Sequence, residues 1–489
     1  MRKYGLVTFA GILLAATGCS RPEAPSELSW HFAGGAALKA QTNAPVLAES
    51  LSLPQSAAVV GPLSQRLAEA WWHVGTRGRP ATPADLGSGI ALIPDLLVQE
   101  SRGAIRTRPQ GGLEFAVAIR GLGTQTPAWE AAWTAWVRAM HAARGGGDAA
   151  PATLRQADWL IAVSDATFLP PAAAWTLLQE VPGDPDAVAR FDVRYPGRLG
   201  LQASMTCRDG AARWAGKATL PKPLPAALPA WEIPRGIREP LVMFTAVRAV
   251  PSLIENLPWL QSWTGKVVPS ELFVWGQPGR PQWGHTYFAA RIEDPGAAVS
   301  DIQRRLAPLF ATGGDTRFRG EVQHDPKAAR LILNGNLPVV PTFEAQSDGG
   351  RGYLTFGFMP ARNATNELAP EMLVQMNRSN LVYYDWEFTG AAAHHWHLGN
   401  QLVDLFEGRQ AVVDSPATQW LLAAAPRMGE SVTEALVIGP GELSLARKSP
   451  MGLSGFELAA LAHWIDPKPP MRHRPSAAAT NRPAARPKP

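Results

Sequence analysis

ARFDVRYPGRLGLQASMTCRDGAARWAGKATL, residues 189–220, decides the fold class. Apolar and polar residues alternate along it, and it is broken at Pro196-Gly197 and at Arg208-Asp209-Gly210. Alternation with a period of two puts successive side chains on opposite faces of a strand. Breaks this short join antiparallel neighbours, whereas a parallel crossover needs a dozen residues or more. The stretch reads as a three-strand meander. Residues 433–438 and 443–447 flank Gly439-Pro440-Gly441 as a hairpin, and residues 381–398, broken at Gly390, read as another. Antiparallel neighbours mixed with helices predict an α+β fold of mainly antiparallel sheet, not a doubly wound parallel one.

Working outward, the body reads as a duplicated unit with two similar halves. Leu47-Ala48-Glu49-Ser50-Leu51 recurs as Leu253-Ile254-Glu255-Asn256-Leu257, and each copy is followed closely by proline. Plausible strands precede them, at 29–37 and 241–247. Phe115-Ala116-Val117-Ala118-Ile119 is echoed by Phe288-Ala289-Ala290-Arg291-Ile292. Each runs into a helix begun by proline and stopped by glycines, 127–143 and 295–310. A further strand follows in each half, at 159–164 and 353–358, and the first half has extra helical sequence at 63–72 and 83–99. Repetition of element order as well as of letters is the mark of internal duplication.

The expected organisation is a signal peptide at 1–18, a tether at 19–27, a first α+β unit at 28–220, a Pro-rich linker at 221–240, a second unit at 241–466 and a disordered basic tail at 467–489. Ser454 and Glu457 form a capping box for a last helix whose buried stripe is Leu458, Leu461 and Ile465. The tail lacks core-forming periodicity.

The chain has 46 basic and 41 acidic residues, but its positive charge sits at the ends. Setting aside Arg2, Lys3 and the six basic residues of the tail leaves 38 basic against 41 acidic, a body of charge −3. That distribution argues against a nucleic-acid partner. The loose basic tail reads either as a solubilising end or as an electrostatic contact for anionic envelope surfaces.

Arg2 and Lys3 precede an apolar run at 6–14 that is too short to span a bilayer. Ala16-Thr17-Gly18-Cys19 then resembles the lipobox of bacterial lipoproteins. The resemblance implies cleavage before Cys19 and acylation of its thiol and new amino terminus. The implied partner is a lipid membrane and the implied location the cell envelope; Ser20, where an aspartate would mark inner-membrane retention, leans toward the outer membrane. With Cys19 acylated, Cys207 is the one cysteine left, so no internal disulfide forms, and it reads as a small packed hydrophobe. The body pattern, with its ending Ser431-Val432-Thr433, Gly441-Glu442-Leu443 and Gly455-Phe456-Glu457-Leu458, resembles a family of uncharacterised bacterial envelope proteins with repeated α+β units. That resemblance implies no activity.

The common short catalytic and nucleotide-binding motifs are absent from the sequence. His394-His395-Trp396-His397 is the sharpest local cluster. On a strand His395 and His397 would share a face and could bind zinc or copper if Asp385 or Glu387 came near; otherwise the patch is a solvated strand face. His463 reads as a structural helix residue. Trp129, Trp133 and Trp136, continued by Met140, have helical spacing and predict a core stripe. Trp259, Trp263, Trp275 and Trp283 lie near expected loops and are candidates for a ligand platform, with core packing as the plainer reading. Asp184 with Asp186 and Glu293 with Asp294 read as turn and cap residues. No cofactor is expected.

The functional expectation is therefore a membrane-anchored envelope lipoprotein that binds an envelope polymer, lipid or protein, non-catalytically, with a cleft between halves as the ligand position. The alternatives are an envelope-polymer hydrolase, metal-assisted through His395 and His397, and a carrier with an apolar cavity.

Overall fold

The computed structural model describes residues 27–466 except 108–112, 146–149, 195–198, 226–227, 257–267, 280–284, 312–319, 336–338, 349, 360–365 and 407–413. The leader, Cys19, the tether and the basic tail lie outside the described residues.

The meander that decided the fold class forms as read: β6 Ala189–Arg194, β7 Gly200–Arg208 and β8 Ala211–Thr219 pair antiparallel in order. Asp209 and Gly210, both at positive φ, make the second turn. β1 (Glu27–Phe32) pairs on one side with β6 and on the other with β2 (Ser101–Thr107). β2 leads to β3 (Leu113–Arg120), then β5 (Trp159–Val163), with β4 (Ala152–Gln156) at the edge. These strands lie in the order β4-β5-β3-β2-β1-β6-β7-β8.

Further on in the chain, β9 (Met243–Arg248) pairs with β10 (Glu271–Gly276) and with β16 (Leu381–Phe388). β10 leads to β11 (Thr286–Arg291), then β15 (Arg351–Gly357), β14 (Thr342–Asp348), β13 (Arg330–Gly335) and the edge strand β12 (Gly320–Asp325). From β16 the sheet continues through β17 (Glu430–Gly439) to β18 (Glu442–Ser449). β18 pairs with β8 from Glu442↔Thr219 to Ser449↔Ala212. That ladder makes one antiparallel sheet of 18 strands.

Register is kept across the junction. One row on the front face runs Ile119, Ser101, Phe32, Ala189, Met205, Trp214, Arg447, Thr433, Asp385, Thr245, Val274, Phe288, Phe356, Phe343. Most helices cover this face. Over the first strands lie α1 (Gly35–Lys39), α2 (Pro45–Leu51), α3 (Pro54–Gly75), α4 (Pro83–Val98) and α5 (Thr126–Arg144). α7 (Val250–Asn256) and α8 (Pro295–Ala311) cover later strands, and α10 (Thr389–Phe406), α11 (Pro416–Ala424) and α12 (Gly455–Ile465) cover the middle. On the back face, α6 (Pro171–Gln179) packs on Ala104, Ala116 and Ala118, and α9 (Pro370–Met376) packs near Phe244 and Tyr384.

The local grammar explains the helices. Thr82 with Asp85, and Ser454 with Glu457, form capping boxes at the starts of α4 and α12. α5 ends at Gly145 in the left-handed conformation that glycine takes without strain. Its Trp129, Trp133 and Trp136 are buried with Met140 against Phe115, Val117 and Ile119. Each indole removes roughly 150–250 Å² from water, so this stripe is the chief reason that α5 docks. In the last helix Leu458 and Ile465 are buried, whereas Leu461 is half-buried.

Two local expectations change. The strand expected over 29–37 ends at Phe32 and α1 follows. The hairpin expected over 381–398 is instead β16 followed by α10. Gly390 is not a strand break there: a Cβ at that position would fall 1.9 Å from the Ala425 carbonyl oxygen, so glycine permits α10 to touch the chain after α11. Residues 391–393 are all alanine, the strongest helix former, and Ala392 and Ala393 are fully buried. The proline-rich 221–240 segment is irregular but packed. Leu224 joins Ala218 and Leu443, Ile237 joins Phe244 and Phe273, and the Tyr353 hydroxyl donates to the Glu232 carbonyl at 2.8 Å.

Gly216 on β8 sits beside the junction, and a Cβ there would lie 2.5 Å from the Gln202 carbonyl oxygen. Gly216→Val is expected to destabilise the whole molecule by about 2 kcal/mol or more, seen by calorimetry as one transition at lower temperature. Melting of one part alone, with the remainder unchanged, would contradict a single cooperative sheet.

Candidate functional site

The histidine cluster lies on a helix, which changes its chemistry. Two residues apart on a helix are about 200° apart around the axis, so His395 and His397 face different neighbours. His395 Nε2 hydrogen-bonds the Thr286 hydroxyl at the start of β11. His397 Nε2 lies 2.9 Å from Gln401 Nε2, one turn further along α10. Both imidazoles are buried. Burial first, then the neighbouring His394 and His463, hold the His397 pKa below its usual value. His463 lies 3.6 Å from the Asp404 carboxylate, bridging α12 to α10. Among the described residues no group of three or more His, Cys, Asp or Glu could hold a metal ion.

Of the candidate platform residues, Trp259, Trp263 and Trp283 lie outside the described residues. Trp275 is a core residue, 4% exposed and stacked on Tyr287 at 5.4 Å between centroids. Its place near an expected loop misled, because the side chain turns toward the back-face core beneath α9. Asp184 accepts from the Asp186 N–H and Asp294 from the Ala297 N–H, both as turn or cap acceptors. Cys207 is half-buried against the front-face core, and burial raises its thiol pKa.

Asp385 and Glu387 do form a site, but with partners that no local pattern announced. They lie on the front face of β16, opposite Thr245 and Met243 of β9 and Thr433 and Ser431 of β17. Asp385 accepts from the Thr245 hydroxyl at 2.6 Å. Glu387 accepts from the Gly455 N–H at 2.5 Å, at the first turn of α12, where backbone donors and the helix dipole favour an acceptor. Arg447 on β18 donates to the Thr433 hydroxyl at 2.8 Å and forks onto Glu457. Glu457 therefore caps its own helix and pins that helix to the sheet. A Cβ on Gly455 would meet the Ala393 nitrogen at 2.5 Å, so α10 and α12 close over the cluster.

Three carboxyl groups here share one guanidinium. Desolvation raises the pKa of both Asp385 and Glu387, and the charge of Asp385 pushes Glu387 up further. Glu387 therefore keeps its proton well above the ordinary carboxylate range. The buried pair is closed from solvent by helices and serves to seat α12.

The accessible chemistry lies on the opposite face. Among the described elements no helix packs on the back of β7, β8 and β18. Gln202, Ala215, Lys217, Thr219, Ala446 and Lys448 point there and are exposed. Lys217 crosses the junction to Glu442 at 2.7 Å, and Arg213 beside it reaches Asp209 at 3.1 Å. This polar strip lies open at the middle of the sheet. The alternation in 200–219 and 442–449 carried its signal, although which face lay open depended on the helices.

No known protein family, characterised protein or solved structure matches this chain.

A carboxylate with a raised folded-state pKa binds its proton more tightly in the native than in the unfolded chain. The stability Glu387 contributes is complete below its unfolded-state pKa and is lost as pH rises from there through about 8. Glu387→Gln is expected to flatten that loss, by on the order of 2 kcal/mol, with little effect at pH 5; denaturant titrations at pH 5 and pH 8.5 measure it. His395→Ala is expected to cost about 1–3 kcal/mol through loss of its buried hydrogen bond to the Thr286 hydroxyl and of the imidazole's packing, and the wild-type Tm to ignore added chelator. A chelator-dependent Tm that disappears in His395→Ala would instead make the histidine a metal ligand.

Proposed function

We propose that this protein is a membrane-anchored envelope lipoprotein with a non-catalytic binding or scaffolding role, held through acyl chains on Cys19 and facing the periplasm or exterior, at the outer membrane. The observation that carries the binding role is the open polar strip on the back of β7, β8 and β18. Exposed polar side chains there, Gln202, Lys217, Thr219 and Lys448, lie near the centre of a broad sheet, where a protein or polymer can be engaged. The histidines and carboxylates that an enzyme reading needs are engaged inside the fold, with His395 on Thr286 and Glu387 on the Gly455 N–H. No described helix is long and apolar enough to cross a membrane; the anchor in this reading is the lipid on Cys19.

The body is also read as a duplicated α+β unit. In support, β5-β3-β2-β1-β6-β7-β8 and β15-β11-β10-β9-β16-β17-β18 have parallel connectivity. A short helix follows the first strand of each set, α2 and α7, and a long one follows the third in chain order, α5 and α8. The two copies meet edge to edge at β8 and β18, about a local two-fold axis normal to the sheet. The strip lies on that axis, so a symmetric partner fits it.

Radiolabelled palmitate should enter the wild-type chain and not Cys19→Ser, and the variant should move from membrane to soluble fractions. An unlabelled wild-type chain sinks the anchor. Lys217→Glu/Lys448→Glu should weaken co-sedimentation with washed envelope fragments several-fold, while leaving palmitate labelling intact. Unchanged co-sedimentation would remove the strip from the binding role.

A further inference from the structure

One row of the back face crosses β2, β1 and β6 through Arg102, His31 and Arg190. Arg190 directs Nε and Nη2 at His31 Nδ1, at 3.3 and 3.1 Å, and donates Nη1 to the Val181 carbonyl. Because a guanidinium only donates, Nδ1 is the acceptor, and the imidazole proton sits on Nε2, 3.0 Å from Glu100 Oε1. Glu100 is shared again: its other oxygen accepts from Arg120 at 3.1 Å, and Arg120 also holds Asp158.

Arg102 is left over from this network. Its nearest carboxylate oxygen, on Glu100, is 4.0 Å away, too far for a hydrogen bond. Its Nε is buried without an acceptor. Its guanidinium instead lies 5.1 Å from the ring centroid of Trp159 and 5.9 Å from that of Trp175 on α6. The indoles exclude water from the cation and fix its plane, while about a fifth of the side chain stays exposed. His31 is kept neutral, first by burial and then by the two arginines. Three guanidiniums, from Arg102, Arg120 and Arg190, thus stand among the carboxylates of Glu100, Asp158 and Asp184, the last acting on Arg190 more strongly than Glu100 does.

We propose that Arg102, with Arg190 across His31 from it, forms a binding site for an oxyanion, a carboxylate or phosphate group, on the back face of β2, β1 and β6. A guanidinium set against two indoles, part-exposed and short of acceptors, is the arrangement that takes such a group in charge-assisted hydrogen bonds. A bound oxyanion would supply Arg102 with the acceptor it lacks. The site deepens the binding reading above by naming a ligand chemistry, but it rests on different residues from those that test the strip.

Titration calorimetry on the full-length mature protein in detergent, at low salt and pH 7, tests it with inorganic phosphate, acetate, glucose 1-phosphate and glucuronate, and with glucose as the neutral control. At least one anion is expected to bind saturably, with one site. Binding should fall tenfold or more in Arg102→Gln and less in Arg102→Lys, which keeps the charge but loses the fork. Binding of the sugar-borne anions alone would assign a saccharide source, and equal binding of inorganic phosphate or acetate a bare oxyanion; either supports the site. Calorimetry reads this site, and co-sedimentation of Lys217→Glu/Lys448→Glu with envelope fragments reads the strip, so failure of one is distinguished from failure of the other. Should Arg102→Gln not fold, Trp175→Ala serves, with a several-fold loss expected. Anions binding no better than glucose, or binding unchanged in a folded variant, would overturn the proposal.

Discussion

The ladder between Glu442–Ser449 and the strand Ala211–Thr219 is the constraint from which the rest follows. Backbone donors and acceptors on two strand edges satisfy one another, so neither edge is left open in the middle of the molecule. Two sets of strands distant in sequence become one sheet with a shared register. Side chains from both sets then fall into common rows. Arg447 opposite Trp214 and Lys448 opposite Arg213 are the clearest instances.

Once that sheet exists, its faces take different roles. The front is roofed by helices whose apolar stripes need cover, and the roof closes over charged groups too. Glu387, Asp385, Arg447 and Glu457 survive burial because each has a hydrogen-bond or charge partner and because one carboxyl keeps its proton. Arg248 makes the same point elsewhere. Fully buried, it donates to the carbonyls of Leu381, Pro229, Arg378 and Ser379 and lies over Trp231, and so fastens the proline-rich segment and the turn before β16 to the sheet. The back, covered by α6 at one side and α9 at the other, leaves its middle strands to solvent. Burial thus separates groups that hold the fold together from groups that can meet a partner.

Much of the architecture was legible in the residues. The meander over 189–220, the Trp129, Trp133 and Trp136 stripe and the Ser454/Glu457 box each carry a period or a cap that fixes local geometry without outside help. The candidate site was much less legible. His395 and His397 suggested a metal because on a strand they would share a face, but three preceding alanines and a close-packed Gly390 turn the segment into a helix. Trp275 suggested a platform because it stood near an expected loop, but its strand phase points it into the core. Arg102, His31 and Arg190 carried no signal, since they come from segments up to 159 residues apart and meet only across the sheet.

By itself the sequence determined which segments alternate, which turn, which cap and which carry an apolar stripe, because these depend on neighbours within one or two turns of chain. It also placed the positive charge at the ends of the chain. Tertiary structure alone decided the strand order, the edge-to-edge junction, which face each helix covers and therefore which polar groups are buried or open. Those outcomes depend on pairings between residues hundreds of positions apart, where loop closure and shared burial set the energy and local propensity has no say.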